Sequence, residues 1–254
     1  MNEMLAETRD EGVLTLTLGA GVAHPLSLGL IRALHAAIGT AQTDGTKVIV
    51  IHGPGRIFCA GHDLKEIAAH RADPDRGRAY VTALFEECAA MMQALATSRK
   101  PTVARVEGLA TAAGLQLVAS CDLAYFGRGA RVCLPGIKRG GFCTTPAVAV
   151  ARKASPAALM DLVLSGAEKP ADWALAAGLA TEVLSEADLA PRVAEVAATL
   201  AGRFSAISED GLAATRAQRD LPLAEAYALA TEAMIGHFMD PALPDPVLPR
   251  KAAE

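Results

Sequence analysis

The chain has 254 residues, with 24 Lys and Arg against 28 Asp and Glu, and a formal net charge of −4. That length allows one large domain or a core with a small appendage. Scattered cations and 4% aromatic content leave no footprint for nucleic acid, and no apolar run approaches the roughly 18 residues of a membrane helix.

The first eleven residues are polar and acidic, unlike a secretory leader, and point to a cytoplasmic protein. Cys59, Cys88, Cys121, Cys133 and Cys143 contain no C-x-x-C pair and lie in apolar surroundings, which suits a reducing compartment better than a disulfide frame. His24, His35, His52, His62, His70 and His237 lack the paired spacing of a zinc site, so no metal is expected.

Residues 12–18 alternate apolar side chains with Thr, the period of a half-buried strand. Ser27 suits an N-cap for a helix to about Ile38, with Leu28, Ile31, Leu34 and Ile38 on one face. Lys47 to His52 is a short apolar strand. A helix is predicted from Tyr80 to Thr97, where Leu84, Cys88, Met91, Met92 and Leu95 have the spacing of core filling.

Pro101 ends that helix and Thr102 to Val106 form the next strand. Leu115 to Cys121 reads as a buried helix and Leu123 to Phe126 as another strand. The alternation argues an α/β domain whose strands are enclosed by helices. Arg131 to Thr145 is too irregular to assign. Helices are predicted over Pro146–Lys153, Pro156–Leu164 and Pro170–Ala177, then a strand over Ala180–Leu184. From about Leu189 the chain is Ala-rich and helical, with a Pro-rich exit at Pro241, Pro244, Pro246 and Pro249. The expected division is therefore a core over 1–189 and a C-terminal helical region over 190–254.

Two stretches stand apart, Phe58-Cys59-Ala60-Gly61-His62-Asp63-Leu64-Lys65-Glu66 and Gly108 to Gln116. Each follows an apolar run, passes through small residues and enters a helix-forming sequence. Each can offer an unpaired backbone N–H at a helix start, and two such donors converging on one carbonyl oxygen would make an oxyanion hole.

At these stretches the chain resembles the crotonase, or enoyl-CoA hydratase/isomerase, superfamily. The first is similar to its F-x-A-G-x-D-L-K-E signature; Pro101 to Asp122 is similar to its strand, N-G-x-(A)-x-G-G-G-x-E-L and helix ending in C-D. The resemblance is collinear from about residue 10 onward. It implies an α/β crotonase-type β-β-α spiral core, a C-terminal helical region that forms a homotrimer or hexamer, and lyase-type chemistry on coenzyme A thioesters in fatty acid metabolism. No separate cofactor is implied, the acyl-CoA being substrate or ligand, and no nucleic acid or membrane partner is expected.

The same resemblance places the two oxyanion N–H donors at His62 and Ala113, and places Ala60, Gly61, His62, Asp63, Leu64, Lys65, Ala112 and Cys143 around the thioester. It also exposes a departure. The family's hydratases use two glutamates to activate water and move its proton, and those positions are Gln116 and Gly136 here. An amide has no useful basicity and glycine has no acceptor, so true hydration is expected to be weak or absent. Decarboxylation of a malonyl-type thioester, or acyl-CoA binding without chemistry, are the alternatives.

Individual side chains carry simpler readings beside these. Asp63 suits an N-cap, and the His62 ring could line the acyl pocket. A Cys143 thiolate would need a cation such as nearby Lys138 or Arg139, so a neutral, packed thiol is expected. Lys65 reaches either a CoA phosphate or solvent. Relatives carry a basic residue for the nucleotide in the loop after the first strand, whereas Gly19 to Pro25 has no Lys or Arg here; Arg250 and Lys251 at the tail, from a neighbouring subunit, could compensate.

Overall fold

The computed structural model describes residues 4–241. They fall into two compact units, one through Gly202 and one from Arg203 onward.

The first unit opens with a hairpin. β1 (Leu5–Asp10) pairs antiparallel with β2 (Val13–Leu18) across Glu11 and Gly12, both at positive φ. The sequence reading missed β1 because only Leu5 is buried. It is an edge strand held by its ladder, and a ladder leaves no hydrophobic period to read. α1 (Leu28–Thr40) follows, with the Ser27 hydroxyl accepting from the Leu30 N–H at 3.1 Å as the expected N-cap.

A unit of strand, turn, strand and helix then occurs three times. β3 (Val48–Gly53) turns into β4 (Ile57–Cys59), followed by α2 (Leu64–Ala69) and α3 (Arg78–Ala96). β5 (Thr102–Val106) turns into β6 (Leu109–Thr111) and α4 (Ala113–Ser120). β7 (Leu123–Gly127) turns into β8 (Arg131–Cys133), a 3-10 turn at Pro135–Arg139 and α5 (Thr144–Val150). α6 (Pro156–Ser165), β9 (Lys169–Pro170), α7 (Ala171–Ala176), β10 (Glu182–Leu184) and α8 (Glu186–Arg203) come after.

The repetition builds two sheets in step. One has the order β1-β2-β3-β5-β7-β10, parallel from β2 onward, and the other β4-β6-β8-β9. Each repeat advances both sheets by one strand, so β4, β6 and β8 run parallel and stack their C-terminal ends side by side. This is the α/β spiral that the resemblance implies. Its strands are enclosed on both faces, which is why β3 reads as an unbroken apolar run.

On one face Leu14, Leu16, Ile49, Ile51, Ala104 and Phe126 join α1, α3 and α4 in the main core. On the other, Val48, Val50, Val103 and Tyr125 meet Leu189, Val193, Ala197 and Ala201, a four-residue stripe along α8. That stripe holds α8 to the sheet, so the boundary expected after residue 189 lies inside this helix and the first unit continues through Gly202.

The second unit holds α9 (Ala206–Ala217), capped by Ser205, and α10 (Leu223–Met239). Along α10, Leu223, Tyr227, Met234, Ile235, Phe238 and Met239 are each more than half exposed in the single chain. Pro244, Pro246, Pro249, Arg250 and Lys251 lie outside the described residues. Among the described residues no helix is long and apolar enough to cross a membrane, and no group of three or more His, Cys, Asp or Glu side chains could hold a metal.

Candidate active site

The first half of the site grows out of β4. Past Cys59 the Ala60 N–H donates to the Ala23 carbonyl at 2.9 Å, and the Leu26 N–H donates to the Gly61 carbonyl at 2.8 Å. The Asp63 N–H then donates to the Leu26 carbonyl at 3.1 Å, so that Leu26 and His62 form a parallel bridge. Both hydrogen bonds of that bridge come from the residues flanking His62. Its own N–H therefore faces the other way and makes no backbone hydrogen bond among the described residues. Asp63 caps α2 by accepting from the Lys65 N–H at 2.8 Å, as expected. Glu66 accepts from the Leu28 N–H at 3.1 Å and the Tyr80 hydroxyl at 2.5 Å, which ties α1, α2 and α3 together behind the turn.

The second half grows out of β6. Ala112 has φ 51 and ψ −123, a region L-residues avoid. It is held there from both sides: its N–H donates to the Cys133 carbonyl at 3.0 Å, and its carbonyl accepts from Leu115 at 3.0 Å and Gln116 at 3.1 Å. The chain thereby turns sharply into α4, which starts at Ala113 rather than at Leu115 as expected, and the Ala113 N–H makes no backbone hydrogen bond among the described residues.

The two halves touch. A Cβ on Gly61 would stand 2.9 Å from the Ala112 Cβ and 3.1 Å from the Ala113 nitrogen, and φ at Gly61 is +83. A Cβ on Gly114 would stand 2.2 Å from the Cys59 carbonyl oxygen. Glycine at both places lets the α4 start press against the end of β4. The turn carrying Gly61 and His62 thereby packs directly against the start of α4 at Ala113.

A cavity of about 710 Å³ opens beside this contact. Ala60, His62, Asp63, Leu64, Lys65, Ala112, Gly136 and Cys143 line it, whereas Gly61, Ala113 and Gln116 do not. The loop from Ala20 to Pro25 forms another wall, again without a cation. Sequence reasoning missed two wall residues, Thr111 and Arg139, the latter having been considered only as a neighbour of Cys143.

The side chains are short of acids and bases. The His62 ring packs on Phe85 with centroids 4.7 Å apart, its Nε2 is buried without a partner, and burial pushes its pKa down to about 4, so it is neutral near pH 7. Gln116 is buried, and its Oε1 has no hydrogen-bond partner among the described residues. Cys143 is a neutral thiol, raised by burial against a smaller opposing pull from the Gly136 N–H, which donates to its Sγ at 3.3 Å. That thiol fills the space at Gly136, where a Cβ would stand 2.8 Å from the Cys143 nitrogen and 3.0 Å from Sγ. A side chain at position 136 would therefore force the Cys143 backbone to shift.

The sequence model of the enoyl-CoA hydratase/isomerase family matches residues 8–241. The rat protein named enoyl-CoA hydratase domain-containing protein 3, mitochondrial, is 36% identical over 214 residues, spanning 84% of this chain and 70% of its own. A crystal structure of an enoyl-CoA hydratase/isomerase family protein from Silicibacter pomeroyi superposes with a TM-score of 0.89 at 56% identity, covering 92% of this chain and all of that one. The human enoyl-CoA hydratase domain-containing protein 3 superposes with a TM-score of 0.86 at 31% identity, covering 92% of this chain and 91% of that one. The expectation of a cytoplasmic protein does not stand beside these relatives, since the rat protein is named as mitochondrial.

Two outcomes follow from the geometry. Ala112→Gly removes a conformational strain of about 1–3 kcal/mol at the cost of a more flexible unfolded chain, and should raise stability by roughly 1 kcal/mol in urea unfolding; an unchanged or lowered midpoint would contradict the strain. His62 has a folded pKa below its ordinary 6.5, so the unfolded chain binds the extra proton between those values. Its contribution is complete above about pH 6.5 and lost as pH falls toward 4, up to about 3 kcal/mol. In His62→Gln the stability difference between pH 7 and pH 4.5 should shrink accordingly, and an identical slope in both proteins would show that the ring is not held neutral.

Proposed function

The chain belongs to the enoyl-CoA hydratase/isomerase family, and we propose that it binds acyl-CoA thioesters and uses the His62 and Ala113 N–H groups to stabilise a thioester enolate. The observation that supports the reading is the contact of Gly61 with Ala112 and Ala113, beside a 710 Å³ cavity lined by His62 and Ala112. A thioester carbonyl seated there would gain charge on oxygen as an enolate forms, and preorganised donors stabilise that charge more than the ground state.

Hydration needs a further step, deprotonation of a water and protonation of the α-carbon. Gln116 can orient a water but cannot take its proton, and position 136 offers neither an acid nor room for one. Each well-placed general acid or base contributes about 10²- to 10⁴-fold, so hydration should run far below that of a relative with both glutamates.

The closed position at Gly136 favours a second reading, decarboxylation of a malonyl-type thioester. There the bond between the carboxylate carbon and the α-carbon breaks, carbon dioxide leaves, the electron pair becomes the enolate held by the two N–H groups, and a water protonates the α-carbon. No base is required. Binding without turnover is the remaining alternative. We also assign assembly into trimers to the second unit, because its exposed α10 residues are apolar beyond what a solvated helix carries.

Crotonyl-CoA should raise the melting temperature of the purified protein, as any ligand of the native state must, while giving hydration near background. Robust hydration would sink the claim about the missing acids, and no shift with any CoA ester would sink the thioester reading. Release of carbon dioxide from malonyl-type esters would select the second reading. Light scattering in solution should give three chain masses; a stable monomer would remove the trimer assignment.

A further inference from the structure

The cavity wall formed by residues 135–143 differs in charge as well as in size from a wall bearing a general acid. The segment Pro135–Arg139 is a 3-10 turn, in which side chains three apart lie over one another. Gly136 and Arg139 are such a pair, and both line the cavity. The glutamate that the family resemblance places at the first of these is replaced by hydrogen, Cys143 packs against the gap, and Arg139 follows three residues on in the same turn and lines the cavity.

Among the described residues Arg139 makes no ion pair, and it is exposed at the wall. The other charged side chains lining the cavity are Asp63 and Lys65. Asp63 accepts through Oδ1 from the Lys65 and Glu66 N–H groups at the α2 start and keeps its negative charge there. His62, Thr111 and Cys143 add polarity without charge. A terminal carboxylate on an acyl group would be repelled by a site with two glutamates, whereas on this wall it meets a glycine and a guanidinium that makes no ion pair among the described residues, with Asp63 and Lys65 as the cavity's other charges.

We propose that Arg139 is a specificity-determining residue and that the cavity takes thioesters whose acyl group ends in a carboxylate. This rests on the thioester reading above. The guanidinium offers two parallel N–H donors that match a carboxylate in a bidentate pair. Its place over Gly136 sets it beside the acyl portion of the ligand. Lys65, on α2 beside the first oxyanion donor, remains as the cavity's other cation.

Calorimetric titration of the full chain with succinyl-CoA, butyryl-CoA and free CoA tests this, because the first two differ at the end of a four-carbon acyl group. Succinyl-CoA should bind about tenfold tighter than butyryl-CoA at low salt. Arg139→Gln should abolish that preference and leave free CoA unchanged, and Arg139→Lys should keep part of it. Equal binding of the two esters by the unaltered protein overturns the proposal. So does an Arg139→Gln protein that loses affinity for free CoA and both esters alike, which would make Arg139 a phosphate contact. If no CoA compound binds, the thioester reading itself fails, and the proposal with it.

Discussion

The site depends on the close approach of Gly61 to Ala112 and Ala113. Parallel pairing of β4 with β6 makes both strands leave the small sheet at the same end, and the missing side chains at Gly61 and Gly114 let the two exits come into contact. Any Cβ at either glycine would push the start of α4 away from the end of β4 and the turn that follows it. The strained backbone at Ala112 persists because its N–H and carbonyl are both committed to neighbours, so relaxing it would cost three hydrogen bonds.

A pair of donors stabilises an oxygen but moves no proton. What surrounds the pair therefore governs the chemistry, and here the surroundings are a neutral imidazole, a buried amide, a neutral thiol and a glycine. On our reading such a cavity suits reactions in which the enolate is formed without a base. The charged side chains on its lining are Arg139, Lys65 and Asp63, and in our proposal the first of these favours a carboxylate at the far end of the acyl group.

Much of the fold was legible in the chain because its larger strands and helices carry their own periods. β2 alternates, β3 is continuously apolar, and α3 repeats Leu84, Cys88, Met91, Met92 and Leu95 along one face. β4, β6 and β8 were not legible, since three residues are too few to show a period, and their strand character comes from pairing with one another. The segment from Arg131 to Thr145 was opaque for the same reason: it divides into a three-residue strand, a 3-10 turn and a helix start, none held by its own hydrophobic pattern.

The sequence by itself determined the two turn-and-helix stretches, the small residues within them, and the absence of carboxylates at Gln116 and Gly136. Those are properties of residue type and local spacing, and they survive any arrangement of the rest. Only the tertiary structure decided that the two turns meet, that Cys143 closes the space at Gly136, and that Arg139 falls on the cavity wall. Each of these is a contact or direction set by strand register and by the turn geometry of 135–143, and side-chain identity alone does not specify either.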